Sequence, residues 1–185
     1  IDRVWSQATQ QPTTYSLGGS GTNVARLMAA LGNRCKISGK IGQDEGPGYS
    51  VEERLQKIGI QSLLSKGNLP TGVVNCFITA NGQRTMQTYP GSPTEHHEVD
   101  IDVRHFEGVK LGHLEGYSVL SGTLGKSIDC ARNKQATISI DLASANLVKT
   151  HQKTFQCLLP KVTHIFGNSL EMQQYTQKSS PQEAA

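Results

Sequence analysis

Gly18-Gly19-Ser20-Gly21-Thr22-Asn23, followed by Val24 to Gly32, is the stretch that decides the fold. Three glycines in four residues make a backbone that bends freely and admits close approach. Thr22 or Asn23 is then a suitable N-cap. Val24, Leu27, Met28 and Leu31 recur at helical spacing, and Gly32 stands where a C′ residue ends a helix. A glycine loop therefore runs into a helix N-terminus. Such a place offers unpaired N–H groups and a positive dipole end to an anion or a hydroxylated ligand. A flexible turn before an ordinary amphipathic helix is the alternative.

Two common phosphate motifs do not match. The loop has no lysine, which a Gly-x-x-x-x-Gly-Lys-Ser/Thr loop needs. Gly19-Ser20-Gly21 lacks the third glycine of a dinucleotide fingerprint, and Gln10 to Leu17 is a poor buried strand.

Outward from the loop, the chain alternates. Lys36 to Ile41 and Ile60 to Leu64 read as strands, with a helix over Pro47 to Ile58 between them. Asn81-Gly82 separates Gly72–Thr79 from Arg84–Tyr89, a strong hairpin signal. Ser92-Pro93-Thr94-Glu95 has the form of a capping box and opens a weak helix toward Phe106. Leu111–Glu115, Thr137–Leu142 and a short buried Thr163–Gly167 read as further strands. Helices are read over Thr123–Lys134 and Leu147–Leu159, near Ser169 and from Ser180-Pro181. This order predicts βαβ units, a parallel sheet covered on both faces, and one domain with an antiparallel flap.

The bulk composition narrows the function. The chain has 185 residues and a net charge of +3, from 18 basic and 15 acidic residues. That balance gives no argument for nucleic-acid or membrane partners. No apolar run approaches the roughly 20 residues of a membrane span. Cys35, Cys76, Cys130 and Cys157 form no Cys-x-x-Cys pair and read as reduced thiols of a cytoplasmic protein. His96-His97 reads as a solvated loop.

In open α/β sheets ligands sit at the carboxyl ends of the strands. Glu115, Asp141 and Asn168 fall there. Each carboxylate can bind a sugar hydroxyl or a metal, or cap the next helix. Asn168-Ser169-Leu170-Glu171 places an amide and a carboxylate on the same side of a first helical turn. That pair suits the water ligands of Mg²⁺ and a polyphosphate, and it equally suits a capping box.

Taken together, Gly18 to Ala25, Leu31-Gly32 and Gly39-Lys40-Ile41-Gly42-Gln43-Asp44 resemble the N-terminal signature of the ribokinase, or PfkB carbohydrate-kinase, family. Asn168-x-x-Glu171 after a strand resembles its second hallmark. Gly82-Gln83-Arg84-Thr85-Met86, Glu115-Gly116-Tyr117 and Asp141-Leu142-Ala143-Ser144 resemble adenosine kinase-like members. The resemblance implies a Rossmann-like αβα sandwich with a mostly parallel sheet and a small β lid. It implies transfer of the ATP γ-phosphoryl to a hydroxyl of a nucleoside or sugar, and it leaves a homodimer open. Carried over by position, Gly19, Ser20, Asn23 and Glu115 would bind the acceptor. Asn168 and Glu171 would serve ATP, with Glu171 toward Mg²⁺. Asp2 is not a convincing match for the family's acceptor-binding Asp, and the family's catalytic Gly-Ala-Gly-Asp element has no match in residues 1–185. Residues 1–185 are therefore expected to form a partial domain without catalytic activity alone. The alternatives are a non-catalytic ligand-binding module or decayed kinase, and a metal-dependent hydrolase built on Glu115, Asp141 and Glu171.

Overall fold

The computed structural model describes residues 14–43, 50–180 and 182. Asp2, Asp44, the start of the helix expected from Pro47 and most of the segment after Ser180 lie outside those residues.

The first unit follows the glycine loop. Helix α1 (Ser20–Ala30) leads into β1 (Cys35–Ile41), α2 (Val51–Lys57) and β2 (Ile60–Lys66). β1 and β2 pair in parallel, Cys35 opposite Ile60 and Ile41 opposite Lys66. α2 has a complete local code. Ser50 accepts the Glu53 N–H, Glu52 and Glu53 occupy the first turn, and Arg54 and Lys57 the last. Its Leu55 is buried, whereas Ile58, three residues on, is exposed.

The Asn81-Gly82 hairpin is as expected, with β3 (Val73–Ile78) antiparallel to β4 (Arg84–Tyr89). Gly82 takes φ +79°, a conformation open to glycine, and the turn closes with Thr79 N–H to Gln83 O at 2.9 Å. Ile78, Met86 and Tyr89 stay exposed on this flap.

The larger unit is a parallel three-stranded sheet in the order β5 (Leu111–Glu115), β6 (Thr137–Asp141), β7 (His164–Phe166). Around it lie α3 (Thr123–Asn133), α4 (Ala145–Thr150), α5 (Gln152–Leu158) and α6 (Ser169–Thr176). Leu124, Ile128, Ile138, Ile140, Leu142, Val148 and Phe155 form one fully buried cluster. Burying each such side chain contributes about 1.5–3 kcal/mol. All four cysteines are free thiols. No helix among the described residues is long and apolar enough to cross a membrane.

Several local expectations are corrected. α1 starts at Ser20 with Gly19 as N-cap, not at Thr22 or Asn23, and no side chain of the loop caps it. The Gly21 N–H is met instead by Glu115 from a distant strand. The stripe on α1 is not core: Leu27 and Leu31 are exposed and the helix has no buried residue. The helix expected over 92–106 is three single 3₁₀ turns, Ser92–Glu95, Glu98–Asp100 and Val103–Phe106. His97 and Asp102, both extended, restart the chain as caps and prevent propagation. The helix expected over 147–159 breaks at His151 (φ −110°, ψ 27°) and begins earlier, where Ser144 accepts the Leu147 N–H. β7 is not buried. His164 and Phe166 are exposed because it is the last strand of its sheet.

Candidate acceptor and phosphate sites

The carboxyl ends of β5 and β6 carry the candidate site. Side chains two apart on a strand share a face. His113 and Glu115 therefore lie together on β5, and Ser139 and Asp141 on β6. The register sets His113 opposite Ser139 and Glu115 opposite Asp141. The lower pair is joined by His113 Nδ1···Ser139 Oγ at 2.9 Å.

The upper pair of carboxylates faces the start of α1. Gly21 N–H donates to Glu115 Oε1 in a short contact, and Ser20 Oγ donates to Asp141 Oδ2 at 2.8 Å. Two negative groups thus meet the positive end of a helix, each opposite its own donor. Two glycines permit this approach. Gly19 holds φ +94°, and a Cβ on Gly21 would lie 3.1 Å from Glu115 Oε1. On the far side, Gly116 packs against β6 so closely that a Cβ would stand 2.8 Å from Asp141 O and 2.7 Å from Leu142 O.

Gly19, Ser20 and Glu115, singled out from the sequence, are therefore brought together. Asn23 lies one turn into α1, exposed, with no side-chain hydrogen bond among the described residues. From the sequence, Asp141 can bind a ligand or cap the next helix. It does close a local turn, accepting Ala143 N–H at Oδ1 (3.2 Å), but it also holds Ser20, 121 positions away. Its place as last residue of an alternating strand was the available signal.

Asn168 and Glu171 lie on the same carboxyl edge, after β7. They form a complete capping box. Asn168 N–H donates to Glu171 Oε2 (2.9 Å), Asn168 Nδ2 to Oε1 (2.8 Å), and Glu171 N–H to Asn168 Oδ1 (3.0 Å). Glu171 is only 6% exposed. Each of its oxygens already accepts a bond, and no group of three metal-ligating side chains occurs among the described residues. Direct ligation of Mg²⁺ does not fit this donor set. Contact through ordered water fits, because a carboxylate oxygen keeps a second lone pair.

The Gly39–Gly42 motif anchors the flap. A Cβ on Gly42 would lie 2.4 Å from Thr71 N, and Gly42 N–H donates to Thr71 Oγ1 at 2.9 Å. Lys40 Nζ pairs with Asp100 at 3.0 Å and donates to Glu95 O at 3.1 Å. Glu95 accepts the N–H groups of Leu69 (3.0 Å) and Asn68 (2.8 Å), which hold its carboxyl below the ordinary range. Burial pushes the Asp100 carboxyl up, but the His97 N–H and Lys40 outweigh it and leave it low. Beside them burial lowers the His96 pKa, and its Nε2 is buried without a partner.

A parallel α/β sheet with a glycine loop at its strand ends and a small β flap defines the ribokinase-like fold. A family model described as pfkB family carbohydrate kinase matches residues 4–185, and the chain belongs to that family. Solved structures agree on the fold. An adenosine kinase from Sinorhizobium meliloti superposes with a TM-score of 0.85 at 23% identity, over 99% of this chain and 58% of that one. A probable sugar kinase from Rhizobium etli CFN 42 gives 0.86 at 23%, over 99% and 58%. An adenosine kinase from Schistosoma mansoni, solved with adenosine in an occluded loop conformation, gives 0.86 at 16%, over 100% and 57%. The chain thus spans somewhat more than half the length of these relatives.

Proposed function

We propose that this chain belongs to an ATP-dependent kinase that phosphorylates a hydroxyl of an adenosine-like nucleoside or a sugar. The observation that carries the reading is the meeting of the Gly19–Gly21 turn with Glu115 at the carboxyl ends of the sheet. A polyol needs hydrogen-bond donors and acceptors in one small space, and a helix N-terminus beside a carboxylate supplies both. Gly19, Ser20, Asn23 and Glu115 bind the acceptor. Asn168 and Glu171 serve ATP, with Glu171 acting on Mg²⁺ only through water. When bound, Mg²⁺ neutralises phosphate charge.

Proton removal is not assigned to these carboxylates. Glu115 and Asp141 already accept hydrogen bonds from α1, so both are engaged in holding the turn. On this reading the 185 residues alone produce no acceptor-dependent ADP from Mg-ATP with adenosine, ribose or fructose. The test is calorimetric titration of the purified chain with each acceptor and with Mg-ATP. The reading requires Glu115→Ala to weaken an acceptor about tenfold or more, the loss of a buried hydrogen bond, with ATP affinity unchanged. Wild-type chain that binds no acceptor, or a Glu115→Ala variant that binds as well as wild type, overturns it.

A further inference from the structure

Asp141 spends its two oxygens in two directions. Oδ1 accepts Ala143 N–H at 3.2 Å and closes a turn on its own strand end. That bond is all a local capping residue needs. Oδ2 accepts the Ser20 hydroxyl at 2.8 Å, from the opposite end of the sequence signature. The neighbouring Gly21 N–H is taken by Glu115, the register partner of Asp141. Adjacent strands thus hold consecutive residues of one helical turn, which leaves the turn no freedom to rotate about its axis.

The position of Asp141 is itself over-determined. Ala143 is held at φ +70°, and Gly116 leaves no room for a side chain against Asp141 O. The bond also fixes the chemistry of Ser20. An ionised carboxylate can only accept, so the Ser20 proton points at Asp141 and the hydroxyl has only lone pairs to offer elsewhere. A ligand group at Ser20 must then be a donor, a hydroxyl or an amine, and not a carbonyl or an ether.

We propose that Asp141 is a positioning residue for the acceptor. It acts through Ser20, orienting the first turn of α1 and making the Ser20 hydroxyl a hydrogen-bond acceptor toward the ligand. This rests on the reading of the Gly19–Gly21 turn as the acceptor site.

The test is a double-mutant cycle on the full 185-residue chain, with adenosine and ribose as calorimetric probes. Asp141→Ala and Ser20→Ala each weaken the bound acceptor about tenfold, roughly 1.4 kcal/mol. The double variant weakens it by the same tenfold, because Asp141 has nothing to act through once the hydroxyl is gone. A double variant near a hundredfold, or an Asp141→Ala variant with wild-type affinity, overturns the proposal. The second measurement is amide hydrogen exchange without ligand. In both single variants Gly21 and Asn23 exchange faster while the β5, β6 and β7 amides stay protected. Equal loss of protection across the sheet makes Asp141 a structural residue only and overturns the proposal. Should the wild-type chain bind neither probe, the acceptor reading fails, and the exchange measurement still decides whether Asp141 orders the turn. Ser20→Ala removes the same bond from the half-buried start of α1, so it stands in if Asp141→Ala does not fold.

Discussion

Gly116→Ala tests whether the strand-end geometry is what assembles the site. A Cβ at 116 would sit 2.7 Å from Leu142 O, 2.8 Å from Asp141 O and 2.9 Å from Leu142 C, where ordinary contact begins near 3.4 Å. The obstruction is backbone of the neighbouring strand end, so no side chain can swing aside. β5 and β6 must part where Glu115 and Asp141 face the turn. Overpacking of this kind costs about 1–3 kcal/mol. For a chain of this size each kcal/mol lowers the melting temperature by roughly 2–4 °C. Thermal unfolding followed by circular dichroism reads the loss, and hydrogen exchange at Gly21 reads the loosened contact to Glu115. Gly18→Ala is the control. Gly18 has no heavy atom within 4 Å of a built Cβ and needs no positive φ. Its replacement leaves stability unchanged or raises it by about 0.4–1 kcal/mol, by restricting the unfolded chain. A Gly116→Ala variant within ~0.5 kcal/mol of wild type, or a Gly18→Ala variant that loses as much, refutes the reasoning.

Asn23→Ala weakens adenosine or ribose roughly tenfold to a hundredfold by calorimetry, while the melting temperature stays put, because the side chain is exposed and makes no bond within the described protein. Glu171→Ala removes the capping box and costs about 0.5–2 kcal/mol by thermal unfolding. If Glu171 also orders Mg²⁺ through water, Glu171→Gln lowers the affinity for Mg-ATP at limiting Mg²⁺ and leaves the acceptor affinity alone; an unchanged Mg²⁺ dependence reduces it to a cap. His96 is held below its ordinary pKa in the fold, so the unfolded chain takes up the proton first. The stability His96 contributes is complete above about pH 6.5 and is lost as pH falls from there. The low Glu95 and Asp100 carboxyls act in the same direction only in the more acidic carboxylate range. The melting temperature should therefore fall between pH 7 and 5, and His96→Asn should flatten that slope; a variant with the wild-type slope refutes it.

Much of the order of elements was legible without coordinates, because its signals act over a few residues. Asn81-Gly82 supplies the positive φ of a tight turn whatever surrounds it. Thr137–Asp141 alternates with the period of a strand and ends on a carboxylate. Asn168 and Glu171 meet within one helical turn, so their capping box could be read as one of two uses for the pair. The same locality explains the errors. The apolar stripe of α1 has the right spacing, but exposure depends on what lies against it. Among neighbouring residues Thr22 and Asn23 are the obvious caps, whereas the N–H of Gly21 is met by Glu115, 94 positions on. Only the tertiary structure decides such pairings. The register of β5 against β6 sets Glu115 beside Asp141, the bare Cα of Gly116 lets the strand ends close, and Ser20 reaches Asp141 across 121 positions. Hydrogen-bond geometry tolerates only tenths of an ångström, and a sequence interval carries no distance until the sheet has set one.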